Sequence, residues 1–257
     1  MSDPSPLHVR IHEAEAGGHV HVLMLDRPQL RNAMNTALLS ELVDALADAD
    51  ADPDLVGLLV TGASGHFSSG ADLKEAGPDT GSGFARRQEL FTVAYEQITS
   101  FRAPTVAAVQ GYAVGGGVEL AAGCDLLVLG HSAKLRFPGA IHGIPVGVAR
   151  TVGRVGLSTA KDWVLSSRMV AADEAYASGF AQRLVEDDDV MATAMAWLEE
   201  VATRDTPTVE LLKRMFTDMG GVRDRSAREN DGLRAHAQTG RLPSFTEDLP
   251  RTVRPRR

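Results

Sequence analysis

The chain has 257 residues, of which 44% are hydrophobic, so it can build a sizeable core in one elaborated domain. Its net charge of −8 and pI near 5.5 argue against a nucleic-acid or anionic-membrane surface, because both need a concentrated positive face. The single cysteine, Cys124, rules out a disulfide framework, and no segment has the apolar length of a signal peptide or membrane span, so we expect a cytoplasmic protein.

The chain opens with two predicted strands and a helix. β-branched residues alternate partly over Leu7–Glu13 and His19–Leu25, which indicates a hairpin. Apolar residues then recur at helical spacing over roughly 36–49, with Asn35 or Thr36 available as the N-cap.

Strands and helices then alternate as far as residue 130. Leu55–Thr61 is a nearly uninterrupted apolar run, which is typical of a buried parallel strand. A loop is predicted over 62–78 and an amphipathic helix over Phe84–Phe101, followed by strands at Thr105–Val109 and Cys124–Leu129. This order predicts an α/β fold with a mostly parallel sheet.

Beyond about residue 150 the pattern becomes helical. Apolar periodicity over 191–201 and 209–219 predicts helices, and Pro207 suits a first helical position. The one clear strand signal in this part of the sequence is Ala181–Val185.

Two glycine-rich stretches carry the chemical signal. The first, Gly65–Glu75, follows a buried strand, and its small residues at 68–71 let backbone N–H groups approach a ligand. The second places Gly115–Gly117 at a helix start, where free N–H groups can hold developing negative charge. Glu119 lies three residues after Gly116 and projects near the same face. Such a site suits a reaction in which charge builds on a carbonyl oxygen while a proton moves at a neighbouring carbon.

Both stretches resemble signatures of the crotonase (enoyl-CoA hydratase/isomerase) superfamily. Phe67–Leu73 is similar to the family's F-S-A-G-A-D-L loop, and Ala107–Leu120 is similar to its A-A-V-x-G-x-A-x-G-G-G-x-E-L segment. The resemblance implies an α/β fold built as a crotonase-like spiral of ββα units, with a helical C-terminal region used in trimerisation.

The resemblance also implies roles for individual residues. The amides of Ala71 and Gly116 would form an oxyanion hole for a CoA thioester, and Glu119 matches one of two hydratase glutamates. The acyl-CoA site would be lined by the residues around the two amides, namely Gly70, Ala71, Asp72, Leu73 and Gly116. Judged as a residue type in a loop, Asp72 orders the loop or caps a helix rather than acting as a catalyst.

The family pattern breaks at Gly139. The second hydratase glutamate should follow a proline, in a segment resembling F-G-x-P-E, and this chain has Gly139 after Pro138. Glycine has no side chain that can exchange a proton, so polarisation of the thioester should survive while efficient hydration and simple double-bond isomerisation are in question.

Other polar residues offer alternatives near these motifs. His66 or His142 could replace the lost glutamate, since histidine exchanges protons near neutral pH, although chance placement is the simpler explanation. Lys74 and Arg31 are candidates for CoA phosphates, with an exposed charge as the equally good explanation. No zinc motif is present, so we expect no metal.

The sequence therefore predicts an acyl-CoA-processing enzyme, specifically an enoyl-CoA hydratase that adds water reversibly to a 2-enoyl-CoA. Decarboxylation, thioester hydrolysis and non-catalytic acyl-CoA binding remain alternatives. We expect residues 1–190 to form the acyl-CoA-binding core and residues 191–257 a helical oligomerisation region, in a homotrimer or a hexamer formed as a dimer of trimers. Coenzyme A enters as part of the substrate, and no other cofactor, nucleic acid or membrane is expected.

Overall fold

The computed structural model describes residues 5–75 and 82–238. These residues contain nine strands: β1 (Leu7–Glu13), β2 (His19–Leu25), β3 (Leu55–Gly62), β4 (Thr105–Val109), β5 (Tyr112–Val114), β6 (Leu126–Gly130), β7 (Lys134–Arg136), β8 (Val170–Ala171) and β9 (Arg183–Val185). They also contain ten α-helices: α1 (Thr36–Ala51), α2 (Ser82–Ser100), α3 (Gly116–Gly123), α4 (Gly139–His142), α5 (Val148–Val155), α6 (Leu157–Ser166), α7 (Ala172–Ala177), α8 (Val190–Ala202), α9 (Thr206–Gly220) and α10 (Val222–Gln238).

The strands form two sheets. The larger sheet has the order β1-β2-β3-β4-β6-β9, in which the first pair is antiparallel and the later pairs are parallel. The smaller sheet has the order β5-β7-β8, with β7 parallel to β5 and antiparallel to β8. Parallel neighbours need crossover connections, and helices supply most of them, so the α/β prediction is confirmed.

The inner strands of the larger sheet are buried on both faces. Leu58 and Val60 of β3 pack into one apolar cluster with side chains from α1, α2 and α3, whereas Leu59 packs into a second cluster with Leu198 of α8. Because apolar layers cover both faces, β3 carries apolar side chains on both, and its uninterrupted apolar sequence follows from that position.

The first helix begins and ends close to its predicted limits. The side chain of Asn35 accepts a hydrogen bond from the backbone N–H of Leu38 at 2.9 Å, which identifies Asn35 rather than Thr36 as the N-cap. The helix extends two residues past the predicted end, to Ala51.

Two strand predictions were wrong at their N-terminal ends. β6 begins at Leu126 instead of Cys124, because the N–H of Cys124 donates to Ala121 O at 3.1 Å and closes helix α3. β9 begins at Arg183 instead of Ala181, because the N–H of Ala181 donates to Ala175 O at 3.2 Å. In both places the apolar residues before the strand hydrogen-bond to carbonyls of the preceding helix and do not pair with a neighbouring strand.

The C-terminal half contains the predicted helices, and Pro207 lies in the first turn of α9. None of the helices in the described ranges combines the length and apolarity needed to cross a bilayer. Part of the predicted loop, 76–78, and the last part of the predicted oligomerisation region, 239–257, lie outside the described residues.

Candidate active site

The two glycine-rich stretches meet through backbone hydrogen bonds. The N–H of Ser68 donates to Tyr112 O at 2.8 Å, and Ser68 O accepts from the N–H of Val114 at 2.9 Å. Gly70 has a φ of 90°, and a Cβ added there would lie 2.5 Å from Val114 O and 3.2 Å from Gly116 N. Only glycine fits such a close approach, so Gly70 brings the loop against the start of α3.

Two residues at the meeting point offer backbone N–H groups. Ala71 and Gly116 both line a pocket of about 210 Å³, and Gly116 is the first residue of α3, where N–H groups have no intrahelical acceptor. Neither amide has a hydrogen-bond acceptor within the part of the chain that the structure describes. Two neighbouring donors in a pocket wall can hold an anionic oxygen.

Asp72 fixes the loop that carries Ala71. One carboxylate oxygen lies 2.9 Å from Arg27 Nη1, and the other accepts from the N–H of Lys74 at 3.0 Å. Asp72 is buried and is not one of the pocket-lining residues, whereas its neighbour Leu73 is half exposed and lines the pocket. These contacts are those of a side chain that orders the loop, and the pocket wall next to Ala71 includes Leu73 and not Asp72.

Glu119 projects from α3 into the same pocket and is almost fully buried. Its Oε2 accepts a hydrogen bond from Arg150 Nη1 at 2.9 Å, while its Oε1 has no partner among the described residues. Burial raises the pKa of Glu119 to about 7, since the charge of Arg150 lowers it only in part and that of Glu229 raises it further. The group can therefore hold or release a proton near neutral pH.

Arg150 and Glu229 complete a buried charge cluster that the sequence analysis did not identify. The Arg150 guanidinium lies 4.5 Å from the centre of the Tyr95 ring and 3.5 Å from Glu229 Oε1. Glu229 Oε2 accepts from the N–H groups of Val148 and Ala149 at 2.7 and 2.9 Å, which ties α10 to the start of α5. No local pattern signals either residue, because their partners lie dozens of positions away in the sequence.

Gly139 lines the pocket where the resemblance predicts a second glutamate. A Cβ built on Gly139 would lie 2.5 Å from Ile144 O and 3.0 Å from Val146 O. The turn after α4 therefore occupies the space that a side chain at this position would need. The backbone around position 139 thus differs as well as the residue, because it leaves no room for a glutamate side chain.

Of the four polar residues proposed as helpers in proton exchange or in phosphate binding, one lines the pocket and three do not. His142 lines the pocket, whereas His66 does not and instead packs against the Tyr112 ring at 5.4 Å. Arg31 lies over the same ring at 5.0 Å, and Lys74 is exposed beside the loop. His142 is thus the one histidine of the two that the structure brings near Glu119.

Comparisons with known proteins give consistent matches. A sequence model of the family described as enoyl-CoA hydratase/isomerase matches residues 15–238. The chain is 33% identical over 202 residues to the probable enoyl-CoA hydratase echA8 of Mycobacterium tuberculosis, covering 77% of this chain and 78% of that protein. It is 31% identical over 232 residues to 2,3-dehydroadipyl-CoA hydratase of Escherichia coli, covering 89% and 88%.

A solved structure agrees with the sequence relatives. A crystal structure of a probable enoyl-CoA hydratase from Mycobacterium smegmatis matches with a TM-score of 0.78 at 27% identity, covering 91% of this chain and 94% of that one. The family match includes both glycine-rich stretches and the Glu119, Arg150 and Glu229 cluster.

Proposed function

The chain belongs to the enoyl-CoA hydratase/isomerase family, and we propose that it is an enzyme that adds water reversibly to a 2-enoyl-CoA. In this proposal the Ala71 and Gly116 amides hold the thioester oxygen, and Glu119 exchanges the proton. One observation carries the proposal: the buried Oε1 of Glu119 belongs to the same pocket as the Ala71 and Gly116 amides, and none of these three groups has a hydrogen-bond partner among the described residues.

The chemical steps follow from these groups. Ionised Glu119 takes a proton from water as the water oxygen bonds to the β-carbon, and the double-bond electrons move onto the thioester oxygen. The two amides stabilise that enolate oxygen, because they point fixed dipoles at the atom where charge develops. Protonated Glu119 then gives its proton to the α-carbon, the carbonyl re-forms, and the carboxylate is restored.

One carboxylate must perform both proton transfers in this scheme. Glu229 also lines the pocket, but its Oε2 is bound by two backbone amides and its Oε1 faces Arg150. A positioned acid/base group supplies about 10²–10⁴-fold in rate and an oxyanion donor about 10²–10³-fold. We therefore expect slower turnover than a two-glutamate hydratase would give, with the oxyanion contribution retained.

The test follows the ultraviolet absorbance of the conjugated enoyl thioester with short, medium and long 2-enoyl-CoAs. Wild-type protein should remove the absorbance, and Glu119→Gln should reduce kcat by at least about 10²-fold. Glu200→Gln, at an exposed position of α8, is the matched control and should keep full activity. If wild-type protein binds acyl-CoA but leaves the absorbance unchanged, the hydratase proposal is wrong and decarboxylation, hydrolysis or binding alone must be tested.

We further propose that the chain self-associates as a trimer or a dimer of trimers. Support comes from α9, where Leu212, Phe216 and Met219 lie on one helix face with 47%, 75% and 79% of their surfaces exposed in the single chain. Contiguous exposed apolar surface of this kind commonly marks a protein interface. Light scattering coupled to size exclusion should give three or six chains, and a monomer would contradict the proposal.

A further inference from the structure

Two histidines and one aspartate meet at the start of β2, an inner strand of the larger sheet, and none of them lines the pocket. His19 and His21 are two residues apart on β2, so they lie on the same face, while Val20 between them is buried in the opposite direction. His19 Nδ1 and His21 Nε2 each lie 2.8 Å from the same oxygen, Oδ2 of Asp52. The three donor atoms all lie within 4.8 Å of one another.

Asp52 is held in a fixed orientation by its backbone and its other oxygen. It follows the last residue of α1, and its N–H donates to Ala49 O at 3.2 Å. Its Oδ1 accepts from the N–H of Asp54 at 3.0 Å, and its carbonyl accepts from the N–H of Leu55 and from the Arg102 guanidinium. Oδ2 is therefore left to face the two imidazoles.

We propose that His19, His21 and Asp52 form a binding site for a divalent transition-metal ion, specifically Zn²⁺. Imidazole nitrogen and carboxylate oxygen are both ligands of Zn²⁺, and with bonds of about 2.0–2.1 Å a tetrahedral site separates its donors by roughly 3.3 Å. Each nitrogen therefore has to move about half an ångström away from Oδ2 to admit the ion. Three protein ligands leave one position for water.

Nearby carboxylates favour a cation beside His19. Asp54 and Glu13 act electrostatically on this imidazole, whereas the Arg102 guanidinium lies on the opposite, backbone side of Asp52, at its carbonyl oxygen. His21 is buried, whereas the side chain of His19 is 31% exposed, which leaves a path for an ion to enter from solvent.

Two other histidine–carboxylate pairs, formed by histidines of β1, differ from the proposed metal site in their number of donors. His8 lies 2.5 Å from Asp26, and His12 lies 2.6 Å from Glu199. Each pair has one imidazole and one carboxylate, so each offers two donors where the proposed site offers three. A variant of His12 is therefore a matched control for histidine loss.

The bound ion would act on structure and not on the proposed reaction. His19 and His21 begin β2, and Asp52 lies in the turn between α1 and β3, so the ion would join these elements. None of the three residues lines the pocket that contains Glu119. The proposal therefore stands or falls independently of the hydratase proposal.

The experiment uses the full chain without a histidine tag, freed of metal by a chelator, and titrates it with Zn²⁺ by calorimetry. Binding with one ion per chain and a rise in Tm are expected. His21→Ala and His19→Gln should each weaken binding by more than the roughly 10–100-fold that loss of an outer-shell partner costs, while His12→Ala should bind like wild type.

Co²⁺ titration checks the coordination independently, because tetrahedral Co²⁺ absorbs visible light strongly. Circular dichroism of each variant without metal shows whether it is folded, and His19→Gln, at a partly exposed position, keeps the test valid if His21→Ala unfolds. Absence of saturable binding to wild-type protein overturns the proposal. Equal affinity in wild type and His19→Gln overturns it as well.

Discussion

Arg150 Nη1 lies 2.9 Å from Glu119 Oε2, and the two side chains are 2% and 3% exposed. The ion pair fixes the orientation of the carboxylate and leaves Oε1 as the oxygen available to a ligand. Burial disfavours the charged form of Glu119 and Arg150 favours it, so the protonation state of this side chain is set by two opposing effects inside the pocket.

The free energy of unfolding should depend on pH through Glu119. Its pKa is raised from 4.5 to about 7 in the folded state, so the folded chain holds this proton after the unfolded chain has lost it. The stabilisation is fully present below pH 4.5 and is lost as pH rises to about 7. Urea denaturation of wild type and Glu119→Gln at several pH values measures the difference.

Between pH 4.5 and 7, the free energy of unfolding of the wild type should fall relative to that of Glu119→Gln. Glu200→Gln serves as the control and should run parallel to wild type, because its carboxylate is exposed. Parallel curves for wild type and Glu119→Gln would show that Glu119 titrates normally.

Two variants should move the pH profile of kcat/KM in opposite directions. Arg150 lowers the pKa of Glu119, so Arg150→Met should raise that pKa and move the rising limb of the profile to higher pH. Glu229 raises the same pKa, so Glu229→Gln should move the limb to lower pH. Steady-state kinetics with one enoyl-CoA over a range of pH measures both shifts.

Arg150→Lys keeps the positive charge, so the rising limb of its kcat/KM profile should lie closer to that of wild type than the limb of Arg150→Met does. Shifts in the same direction for Arg150→Met and Glu229→Gln would mean that the limb reports a different group.

Restoring a carboxylate at position 139 should not create a two-glutamate hydratase. The Cβ of Gly139→Glu would meet Ile144 O at 2.5 Å, so the backbone of the turn must shift to admit any side chain. We expect no gain in kcat and a loss of stability of about 1–3 kcal/mol, typical of overpacking. Gly139→Ala should lose stability similarly, since the clash is at Cβ. Increased hydratase activity in Gly139→Glu would contradict this view of the backbone.

A methyl group at Gly116 should damage the proposed oxyanion hole. The added Cβ would lie 2.5 Å from Cε1 of Phe91, so either the ring or the start of α3 has to move. Displacing one amide donor should lower kcat by about 10²–10³-fold. Gly220→Ala is the control, because an added Cβ there meets nothing within 4 Å. A fully active Gly116→Ala enzyme would contradict the predicted loss and would show that the Phe91 ring moves while the start of α3 stays in place.

The sequence predicted the parts of the site that depend on local backbone. Gly70 and Gly115–Gly117 are visible as small residues after strands, and Glu119 follows the triple glycine at helical spacing. The pairing of the two stretches in one site was implied by the family resemblance and not by the local pattern. The same local reasoning identified Asn35 as a possible N-cap and recognised the buried strand β3.

Contacts between distant residues could not be predicted in this way. Arg150 is 31 residues from Glu119, and Glu229 is 79 residues from Arg150, so neither pairing leaves a periodic or motif signal. Strands β5, β7 and β8 have two or three residues each, which is too short for alternation to be recognised. The metal-binding proposal depends on Asp52, whose relation to His19 and His21 exists only after α1 has folded back on β2.

The contact of Glu229 with the start of α5 also has a consequence for how the chain acquires its pocket. The two amides and Glu119 lie within the first half of the chain, but the wall that includes Glu229 comes from α10 and bridges 81 positions to Val148. Contacts of such long sequence separation form late, since the intervening chain must first be ordered. During synthesis, a partly made chain can hold every proposed catalytic group and still present them to bulk water. Completion of the reaction chamber thus falls to α10, a helix that is synthesised after every proposed catalytic group.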